Sequence, residues 1–258
     1  MTWDFSNQTA IVTGAAGGIG RAVSLGLAHA GAFVVVADMD RDGGETTVRQ
    51  ITDAGGAATF VETDVTDPAA HEAYLSAARA QGGGVDIFMN NAGWQGDVAP
   101  IADYPLDVFD KVMAVNVRGV FLGLRAVLPV MTAQGRGAVV NTASLGSYVG
   151  TRNLAPYIAS KHAVMGLTKT AALEVARKGV RVNAVCPGPV DTEMLRDIEA
   201  GQSPEDAEAL RKKRASSIPD GRYADAQEVA DLMLYLVSDK SRHITGQGIH
   251  INGGSYAI

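Results

Sequence analysis

A tyrosine and a lysine stand four residues apart in the segment Tyr157-Ile158-Ala159-Ser160-Lys161, which has the composition of a helix. Residues at this spacing lie on one face of a helix, so a phenol and an ammonium group can act on the same small molecule. A tyrosine has an ordinary pKa of about 10, and a nearby positive charge favours its ionised form. We therefore predict that Lys161 lowers the pKa of Tyr157 and that the pair performs general acid–base catalysis on an alcohol or a carbonyl.

Short apolar runs alternate with longer amphipathic stretches along the whole chain of 258 residues. The predicted strands are Ala10–Thr13, Phe33–Ala37, Ala58–Val61, Ile87–Met89, Ala138–Asn141, Arg181–Val185 and Gly248–Ile251. Nearly continuous apolar strands are typical of a parallel sheet that is buried on both faces. The predicted fold is a single doubly wound α/β domain of the Rossmann type, spanning residues 1–258, with seven parallel strands and helices on both faces.

Composition and charge exclude several classes of protein. A net charge of −6 without a long basic run argues against a nucleic-acid surface. Cys186 is the only cysteine, which indicates a reducing compartment, and its apolar surroundings favour a buried structural thiol. The N-terminal segment lacks the features of a secretory signal. The apolar stretch Val112–Met131 is interrupted by Asn116, Arg118, Arg125 and Pro129, so it is predicted to be a soluble helix rather than a membrane span. We expect a cytoplasmic protein with no metal site and no membrane partner.

A glycine-rich turn follows the first predicted strand and leads into a helical pattern near Arg21. Gly14 permits a tight turn, while Gly18 and Gly20 leave room for a pyrophosphate to approach the backbone and for the helix to pack on the strand. The free N–H groups and the dipole at the start of that helix attract phosphate. The turn is predicted to bind a dinucleotide through Gly14, Gly18, Ile19 and Gly20.

The choice of dinucleotide depends on Asp38, which ends the second predicted strand eighteen residues after Gly20. An acid at this place hydrogen-bonds the adenosine ribose hydroxyls and repels a 2′-phosphate, although it could instead cap the following helix. Met39 stands where an arginine often serves NADP, and Arg41 is the one nearby cation that weakens the argument. The pattern favours NAD over NADP.

With these motifs in order, the chain resembles the short-chain dehydrogenase/reductase family over essentially its full length. The motifs that carry the resemblance are TGxxxGxG from Thr13 to Gly20, NNAG at residues 90–93, PGxxxT at residues 187–192, and a tetrad of Asn116, Ser144, Tyr157 and Lys161. The resemblance implies that Tyr157 is the acid/base, that Ser144 binds the substrate oxygen, and that Lys161 holds the nicotinamide ribose. It also implies that Asn116 holds a water that links Lys161 to solvent.

The resemblance implies further contacts on both sides of the site. Asp64 and Val65 would bracket the adenine, Asn91 would line the adenosine side and support the sheet, and Val190 and Thr192 would bind the carboxamide. The substrate pocket would be built from Trp94, Gln95, Leu145, Gly146, Val149, Asn153, Leu154, Met194 and Leu195. Because this set mixes apolar walls with two amides, we expect a small secondary alcohol or its ketone, either a polyol, a sugar-like molecule or a cyclic alcohol.

Several alternatives stay open at this point. The protein could be a ketoreductase for 3-oxoacyl groups on acyl-carrier protein, or an NAD-binding sensor without turnover. The charged segment Glu193–Arg214 could be a solvated helix pair or part of a mobile lid over residues 191–218, and its basic run 211–214 is expected to be solvated. The resemblance implies a homotetramer or a dimer joined through helices near 106–131 and 157–178.

Overall fold

The computed structural model describes residues 3–256, so the two residues at each end of the predicted 1–258 domain lie outside the described part. Seven parallel strands form one sheet with the order β3-β2-β1-β4-β5-β6-β7. The strands are β1 (Thr9–Thr13), β2 (Phe33–Asp38), β3 (Ala57–Glu62), β4 (Ile87–Asn90), β5 (Gly137–Thr142), β6 (Val180–Pro187) and β7 (Gly248–Ile251). Every predicted strand is present within two residues of its predicted ends. The sheet confirms the predicted doubly wound Rossmann architecture.

The segments between the strands fold mainly as helices. They are α1 (Gly18–His29), α2 (Arg41–Asp53), α3 (Pro68–Gly82), α4 (Leu106–Met113), α5 (Val120–Gln134), α6 (Ala155–Val175), α7 (Glu193–Gln202), α8 (Ala207–Ser217) and α9 (Ala226–Val237). A π-helical turn, Ala114–Gly119, joins α4 to α5 without a break. The two last helices before α9 make up most of the segment predicted as a lid.

The strands bury both of their faces because their side chains alternate between two cores. In β1, Ala10 and Val12 face a core that includes Val23 and Leu27 of α1 and Met233 of α9. The intervening residue Ile11 faces the opposite core, which includes Tyr74 of α3, Leu124 of α5 and Val164 of α6. The unbroken apolar sequence of each strand is thus explained by helices that cover both faces.

The continuous helical stretch Leu106–Gln134 is long and apolar enough to cross a membrane by length and composition alone. In the structure its α5 portion packs on the sheet through Leu124, Val127 and Met131, which are all buried. It therefore serves as a core helix of the α/β domain.

Cys186 is fully buried at the end of β6, with its sulfur 4.0 Å from the sulfur of Met165. Burial raises the pKa of its thiol to about 11. This agrees with the prediction of a structural thiol.

Candidate active site

A cavity of about 660 Å³ lies at the carboxyl ends of the strands, next to the point where the strand order reverses between β1 and β4. Ligands of open α/β sheets bind at this position because the loops diverge there. The lining combines residues that follow β1, β2, β4, β5 and β6 with residues of α6 and α7. It includes Gly14, Gly18, Ile19, Asp38, Val65, Asn91, Trp94, Ser144, Leu145, Tyr157, Lys161, Val190, Thr192 and Met194. Most predicted site residues thus come together around one space.

The glycine turn is closely packed at two positions. Gly14 has a φ of +66°, a conformation that residues with a Cβ rarely adopt. A Cβ on Gly20 would lie 1.9 Å from the carbonyl oxygen of Gly14, so the helix can approach the turn only with glycine there. A Cβ on Gly18 would contact the side chain of Thr192 at 3.4 Å, which places Thr192 beside the start of α1. The turn has the backbone cradle that a pyrophosphate requires.

Asp38 is half-buried at the end of β2, and its carboxylate holds two main-chain groups. One oxygen accepts a hydrogen bond from the Ala16 N–H at 2.8 Å, and the other accepts from the Asp40 N–H at 3.0 Å. The alternative that Asp38 caps the next helix is wrong, because the side chain of Asp40 caps α2 by accepting from the Gly43 N–H. Asp38 lines the cavity.

Arg41, the cation that could favour NADP, is engaged elsewhere. Its guanidinium pairs with the carboxylate of Glu62 and lies 3.6 Å from that of Glu45. It also stacks 5.7 Å from the ring centre of Phe60. Two carboxylates thus compete with any phosphate for this side chain.

The two residues expected around the adenine differ in their placement. Val65 is buried and lines the cavity. Asp64 is absent from the lining, because its carboxylate accepts from the N–H and the hydroxyl of Thr66, both at 2.8 Å. Asp64 thus shapes the turn that presents Val65, and its contact with an adenine stays a prediction.

Asn91 ties three strand ends together. Its amide nitrogen donates to the carbonyls of Thr13 and Gly14 at 3.1 and 3.2 Å, and its oxygen accepts from the Thr142 hydroxyl at 2.9 Å. The Thr13 hydroxyl in turn accepts from the Asn91 and Ala92 N–H groups. This places Asn91 at the floor of the cavity and in support of the sheet, the arrangement that the sequence motif implied.

Tyr157 and Lys161 both line the cavity from the first turns of α6. Burial raises the pKa of the Tyr157 phenol, and a hydrogen bond with Ser144 opposes that rise. The prediction that Lys161 lowers this pKa is thus not met among the protein's own groups. The lysine ammonium lies 5.5 Å from the tyrosine ring centre and donates its hydrogen bond to the Thr142 carbonyl at 2.8 Å.

Lys161 is only 4% exposed, and this burial lowers its pKa to about 8. An ammonium group loses much of its hydration at such a position, which disfavours the charged form. Near neutral pH the group stays protonated, so it can supply a positive charge and a hydrogen bond to a bound molecule.

Asn116 lies on the π-helical turn and is fully buried behind the cavity. Its oxygen accepts from the Trp94 N–H and its nitrogen donates to the Trp94 carbonyl, both at 2.7 Å, and the nitrogen also donates to the Ser160 hydroxyl at 3.0 Å. A Cβ on Gly93 would lie 3.4 Å from both the Asn116 oxygen and the Lys161 nitrogen. The π-helical turn, a feature that is frequent at functional sites, thus brings Asn116 close to Lys161.

Most of the apolar residues predicted for a substrate pocket line the cavity. Trp94, Leu145, Gly146, Val149, Leu154, Met194 and Leu195 all line the cavity. The two amides do not line it. Gln95 donates to the carboxylate of Asp197 at 3.3 Å, and Asn153 is exposed in a turn with a φ of +65°. Neither amide therefore contributes to the cavity in this structure, and their contact with a substrate stays a prediction.

Comparison with known proteins places this arrangement in a family. A family model described as enoyl-(acyl carrier protein) reductase matches residues 14–256. Levodione reductase of Leifsonia aquatica is 37% identical over 258 residues, covering 99% of this chain and 97% of the relative. A crystal structure of levodione reductase is 36% identical and superposes with a TM-score of 0.95 over 97% of this chain and 98% of that one.

This chain belongs to the short-chain dehydrogenase/reductase family. Cyclohexanol dehydrogenase of Acinetobacter sp. (strain SE19) is 34% identical over 98% of this chain and 96% of the relative. The crystal structure of an NAD⁺-bound xylitol dehydrogenase is 35% identical and has a TM-score of 0.94, covering 97% of this chain and 99% of that one. The family establishes the chain as an oxidoreductase that uses a nicotinamide cofactor.

In this short-chain dehydrogenase/reductase, α7 and α8 form one side of the cavity around a buried carboxylate. Glu199 is hydrogen-bonded to the hydroxyl of Tyr223 and lies 3.3 Å from Arg214 and 3.8 Å from Arg211. Arg211 also pairs with Asp191 at 2.7 Å. The basic run is therefore not uniformly solvated as predicted, because its two arginines turn inward to neutralise an acid that the packing of α7 buries.

Sequence reasoning missed several residues of the site. Lys111, Glu193, Gln202 and Arg214 line the cavity. Ser160, which lies inside the tyrosine–lysine segment, connects Asn116 to α6 by donating to the Tyr157 carbonyl at 2.7 Å. The position of Ser160 between Tyr157 and Lys161 in the sequence could have indicated that its side chain supports the site. The position of Lys111 on α4 carried no such signal, because only the tertiary packing brings it to Trp94.

The buried lysine makes stability depend on pH. The ordinary pKa of 10.5 applies to the unfolded chain, and the folded value of Lys161 is about 8. The unfolded chain therefore binds this proton more tightly, so the stability of the wild type falls as the pH drops from 10.5 to 8 and stays level below it. We expect the free energy of unfolding of Lys161→Met to rise by roughly 3 kcal/mol relative to that of the wild type as the pH falls from 10.5 to 8.

Urea unfolding of both proteins between pH 7 and 10.5 checks this expectation. Lys169, which is exposed on the same helix, gives the control variant Lys169→Met, whose pH profile should follow that of the wild type. A stability difference between Lys161→Met and wild type that does not change with pH would contradict the buried-ammonium argument.

Proposed function

We propose that this protein is an NAD-dependent oxidoreductase that interconverts a small secondary alcohol, of the cyclic kind, and its ketone. The observation that carries the proposal is the convergence of Ser144, Tyr157 and Lys161 on one cavity whose opposite end is the glycine turn. A protein that only sensed NAD would gain nothing from a phenol hydrogen-bonded to a serine beside a buried lysine.

The residues present fit a dinucleotide. The turn at Gly14 and Gly20 leaves a space that a Cβ would fill, and Thr192 stands at the start of α1. When bound, the cofactor accepts the hydride from the carbinol carbon and adds a positive charge that favours a phenolate. Val190 and Thr192 line the cavity where they can hold the carboxamide, and Lys161 can donate to the ribose hydroxyls.

The proton chemistry belongs to the side chains. Tyr157 takes the hydroxyl proton of the alcohol during oxidation and returns a proton to the alkoxide oxygen during reduction. Ser144 donates to the same substrate oxygen and holds it near the phenol. Asn116, held against the Trp94 backbone and near Lys161, positions the route by which the proton reaches solvent.

The preference for NAD rests on Asp38 and on the engagement of Arg41. A carboxylate at the adenosine end repels a 2′-phosphate, and the nearest arginine is held by two glutamates. Met39 is exposed beside Asp38 and offers no positive charge.

We expect Asp38→Ala to weaken NAD binding more than NADP binding. The KM for NAD divided by the KM for NADP should therefore rise by about tenfold or more. The physical reason is the loss of both the ribose hydrogen bonds and the repulsion. Asp40→Ala is the matched control, because it removes a helix cap of about 1 kcal/mol but no cofactor contact. An equal loss for both cofactors in Asp38→Ala would count against the assigned role.

The substrate class follows from the lining. With Gln95 and Asn153 outside the cavity, the wall is mainly apolar, which suits a ring better than a polyol. The names of two relatives, levodione reductase and cyclohexanol dehydrogenase, support the same class.

A panel of cyclic and open-chain secondary alcohols, followed at the NADH absorbance band, tests the proposed function. We expect the cyclic alcohols to give the highest kcat/KM with NAD⁺. If no alcohol forms NADH and no ketone consumes it, the sensor alternative is favoured. If only 3-oxoacyl esters on a carrier protein are reduced, the ketoreductase alternative is favoured.

We further propose that α7 and α8 act as a lid and that the protein assembles as a homotetramer, or a dimer, in the cytoplasm. The lid proposal rests on the number of cavity residues that the 191–218 segment contributes. The assembly proposal rests on exposed apolar side chains along α4, α5 and α6, with Leu106 and Leu173 at least 80% exposed and Phe121 half exposed.

A further inference from the structure

Lys111 of α4 lines the cavity although no role in binding or catalysis has been assigned to it above. Its ammonium lies 4.6 Å from the ring centre of Trp94, within the range of a cation–π contact. Trp94 is itself fixed, because both its N–H and its carbonyl are bound by the side chain of Asn116 at 2.7 Å. The ammonium is therefore held over a ring whose backbone is anchored to the catalytic region.

The other cations of the lining are already engaged. Lys161 donates to the Thr142 carbonyl, and Arg214 pairs with the buried Glu199. Within residues 3–256, the ammonium of Lys111 forms no ion pair, although Asp107 stands one helical turn before it. Among these three cations, Lys111 is thus the one that is neither assigned to the cofactor nor paired with a carboxylate.

The surroundings indicate what that ligand group would be. The lining of the cavity is mainly apolar and includes Leu145, Val149 and Met194 as well as Trp94. Apart from Asp38, the acid in this lining is Glu193, which is exposed to solvent in the first turn of α7. A ring held against this wall could place an anionic substituent near Lys111 while its hydroxyl meets Ser144 and Tyr157.

We propose that Lys111 and Trp94 form a specificity site for an anionic group, so that the preferred substrate is a secondary cyclic alcohol that carries a carboxylate. This inference rests on the proposed function. Lys111 would bind the carboxylate through a charge-assisted hydrogen bond, and Trp94 would hold the ammonium in place. The substrate carboxylate would bind Lys111 equally in the ground state and in the transition state. Loss of this contact should therefore change KM and not kcat.

The test compares two probes of similar size, 4-hydroxycyclohexanecarboxylate and its neutral amide, 4-hydroxycyclohexanecarboxamide, in steady-state assays with saturating NAD⁺. For wild type we expect a lower KM for the carboxylate, and we expect that KM to rise with ionic strength while the KM for the amide stays level. Lys111→Met should raise the KM for the carboxylate by about fivefold and leave kcat and the KM for the amide unchanged.

Two further variants test whether the effect depends on the positive charge at position 111. Lys111→Arg retains the charge and should keep the preference for the carboxylate. Lys178→Met removes an exposed lysine that does not line the cavity and should behave as wild type.

Equal KM values of wild type for the two probes, or a Lys111→Met variant that changes only the KM for NAD⁺, would overturn the inference while leaving the proposed function in place. Absence of turnover with both probes, in contrast, would overturn the proposed function for cyclic alcohols and the inference with it.

Discussion

Replacement of Tyr157 by phenylalanine should lower kcat by about 10³-fold or more while the affinity for NAD⁺ changes less than about twofold. The variant keeps the ring that fills this part of the cavity but removes the oxygen that exchanges a proton with the substrate. Lys161 and Ser144 remain, yet neither can replace the phenol, since the lysine is bound to the Thr142 carbonyl and the serine has no acidic group.

The measurement combines NADH formation with a fluorescence titration of cofactor binding. Tyr235→Phe is the matched control, because Tyr235 lies on α9, packs against Trp3 and does not line the cavity. That variant should retain wild-type turnover. Substantial activity in purified Tyr157→Phe would show that another group carries the proton, and the proposed mechanism would have to be abandoned.

The raised pKa of Tyr157 also bears on when the phenolate can form. Among the protein's own groups, burial keeps the phenol protonated and only the hydrogen bond with Ser144 opposes this. Formation of the phenolate therefore depends on positive charge brought near it when the site is filled. If the proposed mechanism holds, the phenolate forms only once cofactor and substrate are bound.

The second large effect is expected for Gly20→Ala. The new methyl group would lie 1.9 Å from the Gly14 carbonyl oxygen and 2.8 Å from the amide nitrogen of Asn91, so backbone must move. Overpacking of this kind costs about 1–3 kcal/mol, which corresponds to a fall in melting temperature of roughly 3–10 °C for a chain of this size. Displacement of α1 from the turn should also weaken NAD binding by about tenfold or more.

Gly17→Ala provides the control for stability in the same turn. No atom lies within 4 Å of a Cβ built at Gly17, and its φ of −162° is extended backbone that alanine adopts readily. Thermal unfolding should therefore separate the two variants, with Gly17→Ala close to wild type. If Gly20→Ala melts at the wild-type temperature and binds NAD normally, the distance between α1 and the turn can increase at little cost, and the argument from close packing is wrong.

Much of this protein could be predicted from the sequence because its strongest signals are local. Apolar runs of three to five residues, separated by longer amphipathic stretches, predicted the seven strands to within two residues. The motif residues Gly14, Asn91, Ser144 and Tyr157 also follow local rules, since each stands just after a strand or in the first turn of a helix. In a parallel sheet these positions share one edge, so their convergence needed no knowledge of packing.

What only the tertiary structure decided are the partners of polar side chains. Gln95, Asn153 and Asp64 have types that suit a binding pocket, yet their hydrogen bonds or turn geometry direct them elsewhere. In contrast, Lys111 reaches the cavity through a contact with Trp94, seventeen residues away along the chain.

The ionisation of side chains and the charge pairing in the segment 191–218 also depend on the tertiary structure. Adjacency on a helix predicts that Lys161 acidifies Tyr157, but burial of both groups determines the direction of their pKa shifts, and the ammonium donates to the Thr142 carbonyl instead. Arg211 and Arg214 of the segment 191–218 turn towards Glu199 because α7 buries that carboxylate. Backbone order follows from short-range patterns of size and polarity, whereas desolvation and ion pairing depend on which groups the folded chain brings within a few ångströms of one another.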